Sequence, residues 1–331
     1  MLNFSVVGCG RMGRRRATAI TENPNARLVC VSDSDEVLGK KLAADLHTEF
    51  YLENELALTR PDVDVVVIST PNSYHSPMAI EAMKSGKHVF CEKPMATTAD
   101  AAREMVRVSK KTGTLLKVSS NIRYFGNVKK ARELVLSELI GDVLFMRSWI
   151  GHEGWNLKPG TWFVDPNTIG GGTLIDNGCH LIDIVRWYFG DVDEVFGYTS
   201  NLYRKLPGLE DNAVAVLVTR GGKPAVIQSS WTEWNGYLYI EIYGAKGSVT
   251  IDSRGDAAKT IVRMTGHDEV YDYAREPRDS FKREIDDFIT CVGRGENLPP
   301  TGYDGMRVAE IIDGIYRSAK EGKRVSVVSE V

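Results

Sequence analysis

Residues 3–33 constrain this chain more than any other stretch. A short apolar run, "NFSVVG", breaks into "GCGRMG" and passes into the helix-forming "MGRRRATAITEN". A second apolar run, "ARLVCVSD", then carries Asp33 at its end. Gly8, Gly10 and Gly13 have G-x-G-x-x-G spacing, and the acidic residue follows about 20 positions later. Strand, glycine turn, helix, strand and acid in this order specify a βαβ unit that binds a dinucleotide. Gly8 permits the tight turn, Gly10 lets the backbone approach a pyrophosphate, and Gly13 allows close helix–strand packing. Arg11 and Met12 lie inside the turn, where N–H groups at the helix start face the anion. Asp33 suits ribose hydroxyls and repels a 2′-phosphate, which predicts NAD and leaves NADP as the second choice. Arg14, Arg15 and Arg16 either face a phosphate or are solvated, and at least two are expected to be solvated.

The same rhythm continues to about residue 120. "DEVLGKKLAADL", "SPMAIEAMKSG" and "TADAAREMVRVSKKTG" read as helices, and "VDVVVIST", "KHVFCEKP" and "TLLKVSS" as strands. The continuous β-branched run "VDVVVIST" suits a parallel strand buried on both faces. From 190 to 273 strand signals follow in series with no long helix between them. This predicts an α+β region with an antiparallel or mixed sheet, closed by helices near 278–293 and 303–321. Length favours two domains for 331 residues, and the expected division is 1–122 and 123–331. With no repeat, low-complexity tract or polar linker, the two are expected to be closely joined.

Composition excludes several classes. A net charge of −3 gives no reason to expect nucleic acid or an anionic membrane. No apolar run reaches the length of a membrane span, and the N-terminus lacks the basic start of a signal peptide. The five cysteines are scattered without C-x-x-C, which predicts free thiols in a reducing, cytoplasmic compartment. Histidines and cysteines show no ligand spacing, so no metal is expected.

Two further loops end strands of the first region, where such sheets bind ligands. "STPNSYH" offers Thr70, Pro71 and Asn72 as cofactor contacts, with His75 either a contact or a plain loop residue. "CEKP" places Glu92 and Lys93 at a strand end as further cofactor contacts, with Pro94 fixing the turn. Further on, "GGGTLIDNGCHLID" runs three glycines into a helix with Asp176 and His180 four apart, hence on one face. Asp183 extends that face and serves either the substrate or a neighbour. Leu174, Leu181, Val185 and Tyr188 make an apolar stripe on the same helix. The glycines are expected to let the backbone pass close to a ligand. Cys179 reads as packing.

The glycine motif, "TPNSYH", "EKP" and "GGG-x-L-x-D-x-G-x-H-x-x-D", in this order, resemble the Gfo/Idh/MocA oxidoreductases. The resemblance implies a Rossmann doubly wound parallel sheet, followed by an α/β domain with a large, open, predominantly antiparallel sheet. That sheet usually forms a homodimer or homotetramer interface. Members mostly oxidise or reduce one carbon of a sugar or cyclitol with a nicotinamide cofactor. Their catalytic set maps onto Lys93, Asp176 and His180. Histidine suits movement of the hydroxyl proton, lysine suits stabilisation of the oxygen, and Asp176 orients the histidine or binds a neighbouring hydroxyl. Asn121, Arg123, His152, Trp162 and Tyr237 are expected at the substrate, and Trp155 is a further aromatic of the same cluster. A nucleotide-linked sugar and a non-catalytic NAD- or sugar-sensing regulator are the alternatives to be tested.

Overall fold

The computed structural model describes residues 1–273 and 277–327. The chain divides into two compact units, Met1–Asn121 with Pro277–Met306 and Ile122–Glu276 with Arg307–Val331. A single cut after residue 122 therefore misses a return of the chain.

The first unit is built on six parallel strands: β1 (Leu2–Val7), β2 (Ala26–Ser32), β3 (Glu49–Tyr51), β4 (Val65–Ile68), β5 (His88–Cys91) and β6 (Leu116–Val118). Their order is β3-β2-β1-β4-β5-β6, so the winding reverses between β1 and β4. Ligands of such sheets bind outside the strand C-termini at that reversal. All four residues of β4 are buried, as its β-branched run requires. Local signals set the helix ends. Asp35 accepts from the Leu38 N–H to open helix Glu36–Leu46, and Thr98 accepts from the Ala101 N–H to open Ala99–Thr112. Phe281, Ile285 and Phe288 of helix Pro277–Arg294 share a core with Phe4, Val6, Ile20 and Phe90. That packing assigns the returning helix to this unit.

The second unit holds a nine-stranded sheet. Its strands are β7 (Val143–Gly151), β8 (Val192–Ser200), β9 (Asn212–Thr219), β10 (Pro224–Ser230), β11 (Leu238–Gly244), β12 (Gly247–Asp252), β13 (Lys259–Met264), β14 (His267–Asp272) and β15 (Val325–Ser326). Their order is β14-β13-β12-β11-β7-β10-β9-β8-β15, antiparallel except for the β7–β10 pair. One face is buried in the core by Val128 and Leu134, Leu181 and Val185, and Ile311 and Ile315, from three helices. The other face carries exposed Phe196, Tyr198, Val214, Val216 and Val226. Register aligns Tyr198, Val214, Gln228, Trp149 and Tyr239 in one row across five strands. Among the described residues no helix is long and apolar enough to cross a membrane. All five cysteines are free and buried.

Candidate active site

In the first unit the glycine turn follows β1. Gly8 has φ +93°, and a Cβ there would lie 2.6 Å from the Ser69 carbonyl. A Cβ on Gly13 would lie 1.7 Å from the Gly8 oxygen, whereas one on Gly10 would meet nothing within 4 Å. Gly8 and Gly13 therefore lock turn to helix, and Gly10 leaves the open side. The following helix, Arg11–Thr21, has neither a side-chain cap nor an acidic residue in its first turn, so nothing there opposes an anion. Asp33 is fixed against the turn. Its Oδ2 accepts from the Cys9 N–H at 2.6 Å and its Oδ1 from the Asp35 N–H at 2.9 Å. Burial, then the Asp33 carboxylate, push the Cys9 thiol up to about 12, so it stays protonated. These residues fit a dinucleotide: a glycine cradle, a helix start and an acid at the ribose position.

The three arginines part company. Arg14 pairs with Asp45, and Arg15 is exposed with its guanidinium 5.3 Å from the Phe281 ring centroid. Arg16 is fully buried, which neither expectation for these residues covers. Its guanidinium lies 4.6 Å from the Phe90 centroid and 4.7 Å from that of Phe281. It pairs with Glu92 at 2.6 Å and Glu284 at 2.7 Å, and donates to Ser119 Oγ at 2.6 Å. Glu284 also accepts from the Ser120 N–H at 2.7 Å.

Glu92, expected at the cofactor, thus directs Oε1 to Arg16, one residue before Lys93. The Lys93–Pro94 peptide is cis. His75 is buried, with Nδ1 2.8 Å from the Pro94 oxygen and Nε2 2.8 Å from the Thr70 oxygen. It thereby ties the Thr70–Pro71 loop to the turn that bears Lys93. Burial lowers its pKa, and a neutral ring can donate to only one of the two carbonyls. Asn72 is buried at the start of a short 3₁₀ turn, Asn72–Tyr74.

In the second unit two of the three glycines, Gly171 and Gly172, pack closely against protein, so the close approach expected of them is to the protein itself at those two positions. Gly170, with φ +89°, ends a short helix, Pro166–Ile169. A Cβ on Gly171 would lie 2.3 Å from the Tyr316 hydroxyl, and one on Gly172 would lie 1.9 Å from the Glu210 oxygen. Glu210 fills the space so created. Its carboxylate accepts from the Gly172 and Leu174 N–H groups, both at 2.8 Å, and from the Tyr316 hydroxyl at 3.0 Å. Burial pushes this carboxyl up, against hydrogen bonds that favour its charged form. Glu210→Gln is expected to destabilise the protein by about 1–3 kcal/mol, because an amide cannot accept from both N–H groups with both its terminal atoms. Urea unfolding checks this, and an unchanged midpoint would contradict the assigned contacts.

Asp176 lies in a π turn, Leu174–Gly178, that runs into the α-helix Cys179–Phe189, where an unbroken α-helix was expected. Such turns concentrate at functional sites. Its Oδ2 accepts from Trp231 Nε1 at 3.1 Å and Asn177 Nδ2 at 3.3 Å, and His152 Nε2 is 3.7 Å away. His152 Nδ1 accepts from the Gly154 N–H at 2.9 Å, which places the proton of the neutral ring on Nε2, facing Asp176. Trp231 is fully buried and went unnoticed in the sequence. His180 is buried in the first turn of the following helix. Asp183 grips Arg123 with both oxygens, at 2.8 and 2.5 Å, so it serves a neighbour. Arg123, expected at the substrate, lies with its guanidinium 5.4 Å from the Trp187 centroid. Trp162 stacks on Phe163 with centroids 3.8 Å apart, and half-buried Tyr237 packs on the core. Asn121 opens the 3₁₀ turn Asn121–Tyr124.

A family model described as "Oxidoreductase family, NAD-binding Rossmann fold" matches residues 2–120, and one described as "GFO/IDH/MocA C-terminal domain" matches 128–250. The chain is 29% identical over 342 residues to the myo-inositol 2-dehydrogenase of Thermotoga maritima, covering 100% of this chain and 99% of that one. It is 29% identical over 311 residues to the 2,7-anhydro-N-acetylneuraminate hydratase of Escherichia coli, covering 90% and 82%. A solved levoglucosan dehydrogenase, in complex with NADH and levoglucosan, shares the fold with a TM-score of 0.90 at 24% identity over 100% of both chains.

Proposed function

The chain belongs to the Gfo/Idh/MocA oxidoreductase family and is an NAD-dependent oxidoreductase; from that premise we propose that it acts on a secondary hydroxyl carbon of a sugar or cyclitol. The observation that carries this reading is Asp176, a buried carboxylate fixed by Trp231 and Asn177 in the π turn that leads into the helix of His180. His180 takes the proton of the reacting hydroxyl in oxidation and returns it in reduction. Asp176 orients that histidine or binds an adjacent hydroxyl. Lys93, at the end of β5, stabilises the oxygen as charge develops. A nicotinamide dinucleotide, whose pyrophosphate the glycine turn and whose ribose Asp33 would hold, would supply the hydride acceptor or donor.

The test is an NAD-reduction screen over inositols, aldoses, glycosides and nucleotide sugars. Turnover is expected on a free or glycosidic polyol. Turnover confined to nucleotide sugars would move the substrate class, and NAD binding without turnover across the panel would overturn the reading. Asp33 supplies a second check. Wild type is expected to prefer NAD over NADP at least about tenfold, the ratio that 1.4 kcal/mol represents. Asp33→Ser should narrow that ratio, and a wild-type NADP preference would refute the assignment.

The exposed apolar face of the second sheet supports a homo-oligomer built through it, since patches of this kind mark interaction sites. Phe196→Asp and Val216→Asp together are expected to lower the mass seen by sedimentation, and a wild type already monomeric would exclude the interface. The five unpaired thiols favour a reducing, cytoplasmic location.

A further inference from the structure

Three loops of the second unit hold aromatic rings that the proposed reaction does not use. Tyr203, in the β8–β9 loop, is 60% exposed, and Trp234, in the β10–β11 loop, is 68% exposed. Their rings meet edge to face, centroids 6.4 Å apart at 82°. Arg204 lies over the Tyr203 ring, so Trp234, the more exposed of the two, offers the more open face. Trp155, after β7, is half exposed, 5.8 Å from His152 between ring centroids.

These rings are held outward by well-tied backbone. The buried Asp211 carboxylate accepts from the N–H groups of Leu202 at 3.2 Å and of Tyr203 and Arg204 at 2.7 Å. The Arg204 guanidinium donates to the Trp231 carbonyl at 3.2 Å and to the Glu153 carbonyl, and lies 5.0 Å from the Tyr203 centroid. It thus cross-links all three loops. The Glu233 N–H donates to the His152 carbonyl at 3.3 Å. The cross-link reaches Asp176 through Trp231, whose carbonyl accepts from Arg204 and whose indole donates to the Asp176 carboxylate. Trp234 is three residues beyond Trp231, on the order of 10 Å at most along an extended chain. That span is comparable with two linked hexose rings.

We infer that Tyr203 and Trp234 form a second carbohydrate subsite, which stacks on a ring joined to the one being oxidised, so that the substrate class is a glycoside of at least two rings. This rests on the sugar reading above. A pyranose has an apolar C–H face for an aromatic ring and a polar rim for hydrogen bonds. Glu233 and Asn235 flank Trp234 and supply such polar groups. The pinned loops lower the ordering cost of binding.

The test is calorimetric titration of the full-length protein with NAD present, using cellobiose, maltose and trehalose against glucose. Wild type is expected to bind at least one disaccharide about tenfold more tightly than glucose, as two ring contacts allow. Trp234→Ala should remove most of that advantage and leave glucose affinity within about twofold, and Tyr203→Phe should retain it. Disaccharides bound no better than glucose, or equal losses for both ligands in Trp234→Ala, would overturn the subsite. So would a change in sedimenting mass for Trp234→Ala without a disaccharide-specific loss, which would assign the rings to a second copy of the chain. Binding is read without turnover, so the two readings fail separately. Disaccharide binding through Trp234 with no NADH formed would sink the redox reading alone.

Discussion

Arg16→Met is expected to cost the fold about 3–5 kcal/mol, the range for removing one partner of a buried ion pair. Methionine keeps much of the length that packs between Phe90 and Phe281 but leaves the Glu92 and Glu284 carboxylates buried without their cation. The loss should depend on pH with a definite sign. Burial already holds the Glu284 carboxyl above its ordinary range, with Arg16 pulling it down and Glu92 pushing it up. Without Arg16 it rises further. An acid whose folded pKa is raised favours the fold below its unfolded pKa and loses that contribution as pH rises through the folded pKa. The deficit of Arg16→Met should therefore be largest near about pH 8 and shrink near about pH 5.5. Urea unfolding at both pH values measures it. Adding Glu284→Gln to the variant should recover part of the loss at the higher pH. A midpoint equal to wild type, or a deficit that grows on acidification, would show that the three groups are not coupled as drawn.

Lys93→Ala and His180→Ala are each expected to lower kcat at least about a hundredfold, the lower range for a positioned acid, base or charge stabiliser. Fluorescence titration should show NAD still bound by His180→Ala, because the glycine turn and Asp33 belong to the first unit. If both groups act on one oxygen, the double variant should lose much less than the product of the two single losses. His180→Ala should also flatten the limb of the pH–kcat profile that reports the general base. Near-normal turnover in either single variant would refute its role.

The first unit was legible because its signals are local. A glycine turn, an acid after the next strand and strand ends at "TPNSYH" and "CEKP" fall within short windows, and a parallel doubly wound sheet follows from their rhythm, though the three-residue edge strand β3 is too short to announce itself. The return of residues 277–306 was not legible. Its helix carries an ordinary apolar stripe, and nothing local says which core that stripe joins. Strand β7 escaped for a different reason. Leu144 and Phe145 are exposed beside buried Val143 and Met146, so the alternation of polar and apolar positions is erased. The glycines before Asp176 show the limit of composition: three in a row announce a close approach but not its partner. Glu210 lies 38 positions from Gly172, Trp231 lies 55 from Asp176, and Glu92 lies 76 from Arg16. Contacts of that span are set by tertiary packing, which periodicity does not report.

The returning segment bears on how the protein is made. Domains generally fold as units while the chain is synthesised, the N-terminal one first. Here the strands and glycine turn of the first unit leave the ribosome early, yet Phe281, Ile285, Phe288 and Glu284 come only after the second unit's sheet strands β7–β14. Until then Arg16 lacks one of its carboxylates and Phe4, Ile20 and Phe90 lack part of their cover. The nascent nucleotide-binding half therefore waits, incompletely closed, for the rest of the chain. A gene fragment ending at residue 121 should yield a product that chaperones retain.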